Sequence, residues 1–368
     1  MALKIGFGYP QEASIHNAMS TNSTIIHTSA ASPDSPALSL YAHGGNLADI
    51  AAQYPDAPTP WLDLSTGVNP YAYTTQALPA NAYSRLPERS QLAALYEAAS
   101  RYFGVPAECI AAFPGSQPLM SLLAALRKET YGPALMASLS PSYSEHVMAW
   151  QPWGHSCTHG SHAALLQGRA DVTLLCNPNN PTAAITSPDD IRLLTNHQRR
   201  SNRWLIVDEA FADTMAEISV ASVAASQERV VVIRSFGKFF GLPGLRLSFA
   251  ITQPSLAELL RRSAGSWPVS TAACIIGAQA MADTAWITEM QKTLLEEAAQ
   301  WQQALNGHGT IIGACPLFTL LDVQDAQNFA QHMAVQGIHL RQFAALPHAV
   351  RLGLPHKDEM ARVLAALP

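Results

Sequence analysis

A single lysine, Lys238, stands among glycines and aromatic residues in RSFGKFFGLPGLRLSF (234–249), with Arg246 eight positions further on. Lysine usually occupies a solvated, charge-rich face, so one set in this company reads as an amine with chemistry to do. Other polar groups share its setting at the ends of apolar runs. CNPNNPTA (176–183) carries two Asn-Pro pairs that turn the chain directly after one run. In VDEAFAD (207–213), Asp208 ends another. A carboxylate there serves as metal ligand, general base or partner of a protonated ring nitrogen, or simply as a helix N-cap. PGSQ (114–117) offers a glycine, a hydroxyl and free N–H groups where a helix should start, a setting suited to phosphate. GHSCTHGSH (154–162) would turn His155, Cys157 and His159 to one face of a strand, with His162 close behind, and so raises zinc. A solvated strand and loop is the plainer reading, and no metal is expected.

The elements that must position these groups follow from periodicity. Between about 85 and 255, helix-like and strand-like segments alternate, as in an α/β domain. SQLAALYEAASRYFG (90–104) predicts a helix with Ser90 as N-cap and Gly104 at its end. Short apolar runs at 134–138, 171–176, 203–208, 229–235 and 246–252 suit strands buried on both faces. SPDDIRLLTNHQRR predicts a helix capped by Ser187, with Pro188 at its first position. The chemistry-bearing groups thus lie at the C-terminal ends of strands, where open α/β sheets bind ligands. After about 255 come long Ala- and Leu-rich helices near 270–306, then alternating short elements that read as a smaller α+β domain.

The 368 residues suffice for a large core without disulfides. Five cysteines, at 109, 157, 176, 274 and 315, form no C-x-x-C pair and point to reduced thiols in a cytoplasmic protein. A formal net charge of −5 gives no support for nucleic-acid or anionic-membrane binding. No apolar run approaches the ~18–20 residues of a membrane span. Residues 1–36 read as a flexible leader and 37–65 as a segment drawn over the site; the large domain is expected over 66–255 and the small one over 256–368.

In order, PGSQ, PSYSEH, CNPNNPT, DEAF, SFGKFFGLPGLR and VRLGL resemble the motifs of fold-type I pyridoxal-phosphate enzymes, in the histidinol-phosphate aminotransferase-like branch. Within that branch HGGNLADIA (43–51), WLDLSTGVNPY (61–71) and YSRLPE (83–88) look like the threonine-phosphate decarboxylases of cobalamin biosynthesis. The resemblance spans about 40–368. It implies a homodimer whose large domain holds a mostly parallel seven-stranded sheet flanked by helices, beside a smaller α+β C-terminal domain.

The resemblance also implies roles. Lys238 would be the amine that condenses with the cofactor aldehyde, Asp208 would keep the pyridine nitrogen protonated, and Asn180 would bond the ring 3-oxygen. Tyr143 would lie against the ring. Ser116, Gln117, Ser235 and Arg246 would hold the cofactor phosphate, and Arg351 the substrate carboxylate. His43, Gly44 and Asn69 would line the substrate side. Phe211 stands where the aminotransferases carry a tyrosine, which removes one bond to the 3-oxygen. Leu86-Pro87-Glu88 stands where their Y-P-D tyrosine reaches the neighbouring subunit, and Tyr83 is the candidate substitute. The expected reaction is decarboxylation of L-threonine O-3-phosphate. The alternative is an aminotransferase acting on histidinol phosphate or a similar phosphorylated amino acid.

Overall fold

A computed structural model describes residues 44–199 and 202–368. The leader over 1–36 and His43 lie outside the described residues. The strands in chain order are β1 (Leu62–Asp63), β2 (Ile110–Phe113), β3 (Leu135–Leu139), β4 (Ser156–Gly160), β5 (Val172–Cys176), β6 (Trp204–Asp208), β7 (Val230–Ser235) and β8 (Ser248–Ile251). They are followed by β9 (Thr310–Cys315), β10 (Phe318–Asp322), β11 (Ile338–His339), β12 (Arg341–Phe343) and β13 (Leu346–Gly353).

Seven of these form one sheet in the order β2-β8-β7-β6-β5-β3-β4. Only β8 runs against its neighbours, pairing antiparallel with both β2 and β7; the other pairs are parallel. Every residue of β5 and β6 is buried, as expected of runs covered on both faces. Side-chain alternation splits the sheet cleanly. Val231 and Ile233 pack with Ile206 and Val172 on one face, while Val230 and Val232 pack with Leu205 and Val207 on the other. Each such fully buried side chain stabilises the fold by roughly 1.5–3 kcal/mol.

The helix expected from Ser90 begins at Arg89 instead. Gln91 Oε1 accepts the Glu88 N–H at 2.8 Å, so Glu88 is the N-cap, two residues before Ser90. Gly104 ends it in the left-handed region, φ 66°. Ser187 caps the helix Pro188–Arg199, its hydroxyl accepting the Asp190 N–H at 3.1 Å.

β12-β13-β10-β9 make a separate antiparallel sheet. β1 pairs in parallel with β11, Leu62 opposite Ile338 and Asp63 opposite His339, so the N-terminal segment is stitched to the C-terminal elements. The helix Pro254–Ala264 straddles the expected boundary at 255/256, and Thr271–Ala282 lies beyond it. They nevertheless pack against β2 and the helix Arg89–Phe103, which belong with the large sheet. Among the described residues, no helix is long and apolar enough to cross a membrane.

Candidate active site

The groups singled out by residue type meet at the C-terminal ends of the central strands. A cavity of about 150 Å³ is lined by Ser116, Gln117, Tyr143, Cys176, Asn180, Asp208, Phe211, Ser235, Lys238 and Arg246. Alternation explains how β6 and β7 contribute: Asp208 and Ser235 fall on the face of Ile206 and Ile233.

The helix Ser116–Tyr131 brings its first residues, Ser116 and Gln117, to the cavity wall. Gly115 before it has φ +101°, and a Cβ there would run into the Arg246 guanidinium. Glycine therefore lets the arginine lie directly beside the first helical N–H groups. With Ser235 also on the wall, this is a cradle for a dianion.

Asp208 lines the same cavity. Its Oδ2 is 3.0 Å from His146 Nε2, and its Oδ1 accepts the Ala210 N–H at 3.2 Å. Both side chains are buried. With its proton on Nε2, His146 donates to the carboxylate and fixes where it points. Sequence reading passed over His146, although it stands in the PSYSEH element three residues from Tyr143. The Tyr143 ring meets the His146 ring edge-on at 5.3 Å, and burial pushes the Tyr143 hydroxyl pKa up.

Lys238 stands in the wall of the same cavity. Burial, then Arg351, push its pKa down to about 8, while Asp208 pulls the other way. A usable fraction of the amine is therefore neutral near physiological pH, as a nucleophile requires. Its Nζ lies 5.5 Å from the Phe211 ring centroid, so the phenylalanine contributes a ring face where a hydroxyl was missing.

Asn69 is placed differently from the expectation. It does not line the cavity; its Nδ2 donates to the Phe239 carbonyl at 2.7 Å, and its Oδ1 accepts the Tyr71 N–H at 2.8 Å. Its own N–H donates to the Lys238 carbonyl at 3.0 Å. Asn69 thus positions the lysine's backbone. Gly44 packs on Ser65, whose carbonyl leaves no room for a Cβ there.

Arg351 is buried just beyond Asn180. It donates through Nη1 to the Asn180 side-chain oxygen and through Nη2 to the Ser65 carbonyl at 2.7 Å. Its Nε has no partner among the described residues, and burial followed by Arg341 lowers its pKa to about 10. A buried guanidinium without a carboxylate is costly, and an anionic ligand relieves that cost. Arg341, half-buried and not anticipated, faces Arg351 directly across the β12–β13 pair.

The histidines of 154–162 have separate partners: only His159 lies on edge strand β4, with His155 just before it and His162 just after. His155 accepts the Ala134 N–H and lies 2.9 Å from the Ala124 carbonyl. His159 meets Ser138, and His162 meets Thr186.

Taken together, an amine, a buried carboxylate, a helix N-terminus flanked by an arginine, and a second arginine that is buried fit pyridoxal phosphate with an amino-acid substrate. The model of the aminotransferase class I and II family matches residues 59–367, and the chain belongs to that family. A threonine-phosphate decarboxylase of Pseudomonas aeruginosa is 34% identical over 332 residues, covering 89% of this chain and 97% of that protein. One from Sinorhizobium sp is 35% identical over 85% of this chain and 92% of its own length. Among solved structures, the histidinol-phosphate aminotransferase of Sinorhizobium meliloti in complex with pyridoxal-5'-phosphate superposes with a TM-score of 0.74. That match covers 92% of this chain and 98% of the other at 16% identity, a likeness of fold.

Proposed function

We propose that this protein is a pyridoxal-phosphate-dependent decarboxylase that converts L-threonine O-3-phosphate to (R)-1-amino-2-propanol O-2-phosphate, for the nucleotide loop of cobalamin. The single observation that carries this reading is the arginine pair. Arg341 and Arg351 stand opposite each other on adjacent strands, and neither has an acidic side chain within ion-pair distance among the described residues. Like charges so placed repel, and an amino acid carrying both a carboxylate and a phosphate answers both. The curated relatives at 34–35% identity bear the name of that activity.

Bound pyridoxal phosphate supplies an electron sink for the pair of electrons released when a bond to Cα breaks. The chain's residues do the rest. Arg246, Ser235 and the N–H groups of Ser116 and Gln117 would hold the cofactor phosphate, and Asp208, oriented by His146, would accept from the ring nitrogen. Asn180 bonds the ring 3-oxygen while keeping Arg351 aimed, and Arg351 grips the substrate carboxylate. Arg341 takes the substrate phosphate. Once CO2 has left, Lys238 or a water would supply the proton to Cα.

Tyr83 (83% exposed) and Leu86 (59%), three positions apart in the segment that reaches the neighbouring subunit in the aminotransferases, support a homodimer. Five free cysteines are in keeping with a cytoplasmic location. The test is substrate-dependent CO2 release. Threonine phosphate should yield CO2 with no keto acid added. Turnover that needs 2-oxoglutarate and releases no CO2 would replace this reading with an aminotransferase, the activity named for a Methanococcoides burtonii relative 25% identical over 89% of this chain.

A further inference from the structure

On the opposite face of the sheet from the cavity lies a second buried set of charges that the reaction does not use. Glu209 and Arg234 are the sequence neighbours of Asp208 and Ser235, and alternation sends both to the far side. Glu209 is fully buried. Its Oε1 accepts the Val220 N–H at 2.7 Å, and its Oε2 accepts both the Ser219 hydroxyl at 2.6 Å and Arg234 Nη1 at 3.0 Å. Arg234 Nη2 donates to Asp213 Oδ1, which also accepts the Tyr102 hydroxyl at 2.7 Å. Gln291 donates to the Asp213 carbonyl at 2.7 Å, tying the set to the helix Thr284–Ala304. Burial alone would lower the Arg234 pKa, but Asp213 and Glu209 more than reverse this and keep it charged.

A buried ion pair is a weak source of stability, because desolvation offsets most of its attraction; fixing geometry is a better use. The parallel register of β6 with β7 ends at Asp208 opposite Ile233, and the Glu209 N–H makes a last bond to the Ile233 carbonyl at 2.8 Å. Beyond that point side chains, rather than a ladder, relate the two strand ends. We infer that the Glu209–Arg234 pair is a positioning device that fixes the span between Asp208, at the ring-nitrogen end of the cofactor, and Ser235, at its phosphate end. The inference rests on cofactor binding alone, not on decarboxylation. A wrong reaction would show in the product while leaving cofactor affinities untouched.

The experiment titrates apoenzyme with pyridoxal phosphate and with pyridoxal, which lacks the phosphate, following absorbance and recording Tm in parallel. Glu209→Gln keeps the side-chain shape and leaves Arg234 paired with Asp213. It should weaken pyridoxal phosphate about tenfold or more and pyridoxal less than about threefold, so the preference for the phosphorylated form collapses. Arg234→Lys, which retains the charge but loses the two-pronged fork, should do the same. Should Glu209→Gln fail to fold, Ser219→Ala removes one hydroxyl touching both partners and is read by the same ratio, expected to fall about threefold. An unchanged ratio in the folded variants, whether both affinities drop together with Tm or neither moves, overturns the inference.

Discussion

Replacing Arg351 with methionine separates a substrate-binding arginine from a structural one, because the two roles predict opposite balances of stability and activity. In the resting protein the change removes two hydrogen bonds donated by a charged group, to Asn180 and to the Ser65 carbonyl, at a cost of about 1.5–3 kcal/mol each. It also removes a buried cation that burial and Arg341 already disfavour, its pKa held down to about 10, and this offsets a comparable amount. Folding stability should therefore change by less than about 2 kcal/mol. Substrate should suffer far more. Losing the partner of a buried, doubly bonded carboxylate costs about 3–5 kcal/mol, which is about 10²–10⁴-fold in kcat/KM. The assay compares kcat/KM for threonine phosphate with competitive inhibition by the product amine phosphate, which has no carboxylate. Wild type and Arg351→Met should bind that product about equally. The reasoning fails if kcat/KM stays within about threefold of wild type, or if product affinity falls as far as kcat/KM does.

Other consequences are equally open to measurement. Lys238 has its pKa lowered from 10.5 to about 8 by burial and Arg351, so capture of pyridoxal phosphate by the apoenzyme should speed up with pH through about 8 and level off above it. A rate flat across that range contradicts a lysine nucleophile. Between about 8 and 10.5 the unfolded chain keeps a proton on Lys238 that the folded chain has lost, so this group's contribution to apoenzyme stability should rise with pH across that window. Asp208→Asn should still bind cofactor yet lose most turnover, because the ring nitrogen would no longer be held protonated; full activity in that variant would remove Asp208 from its role. Gly115→Ala forces a side chain into a φ of +101° and against Arg246, at roughly 1–3 kcal/mol of strain. Cofactor affinity should drop at least about tenfold, and an unaltered dissociation constant would mean that the cradle lies elsewhere.

Much of the large sheet was legible in the sequence because its strands are short runs of β-branched and apolar residues, punctuated by the polar groups they deliver. Asp208, Ser235 and the CNPNNPTA turn could be placed for the same reason: a polar residue that ends an apolar run must lie at the sheet's rim. What stayed hidden depends on three-dimensional partnership. His146 lies on a four-residue helix with no periodicity to expose it, and only its bond to Asp208, 62 positions away, gives it meaning. Arg341 sits on a three-residue strand and gains significance only opposite Arg351. Asn69 was drawn to the substrate by its motif, whereas its amide is spent on backbone around Lys238. Nor does apolar texture after 255 reveal that the helix Thr271–Ala282, buried along most of its length, packs against the helix Arg89–Phe103.

The most direct test of the central claim is a single turnover with threonine phosphate labelled at its carboxyl carbon, with no keto acid present. The account predicts one labelled CO2 per active site, an amine phosphate product without label, and a cofactor still bound to Lys238 by its absorbance. Label retained in the organic product, with the amino group transferred to the cofactor, would contradict it.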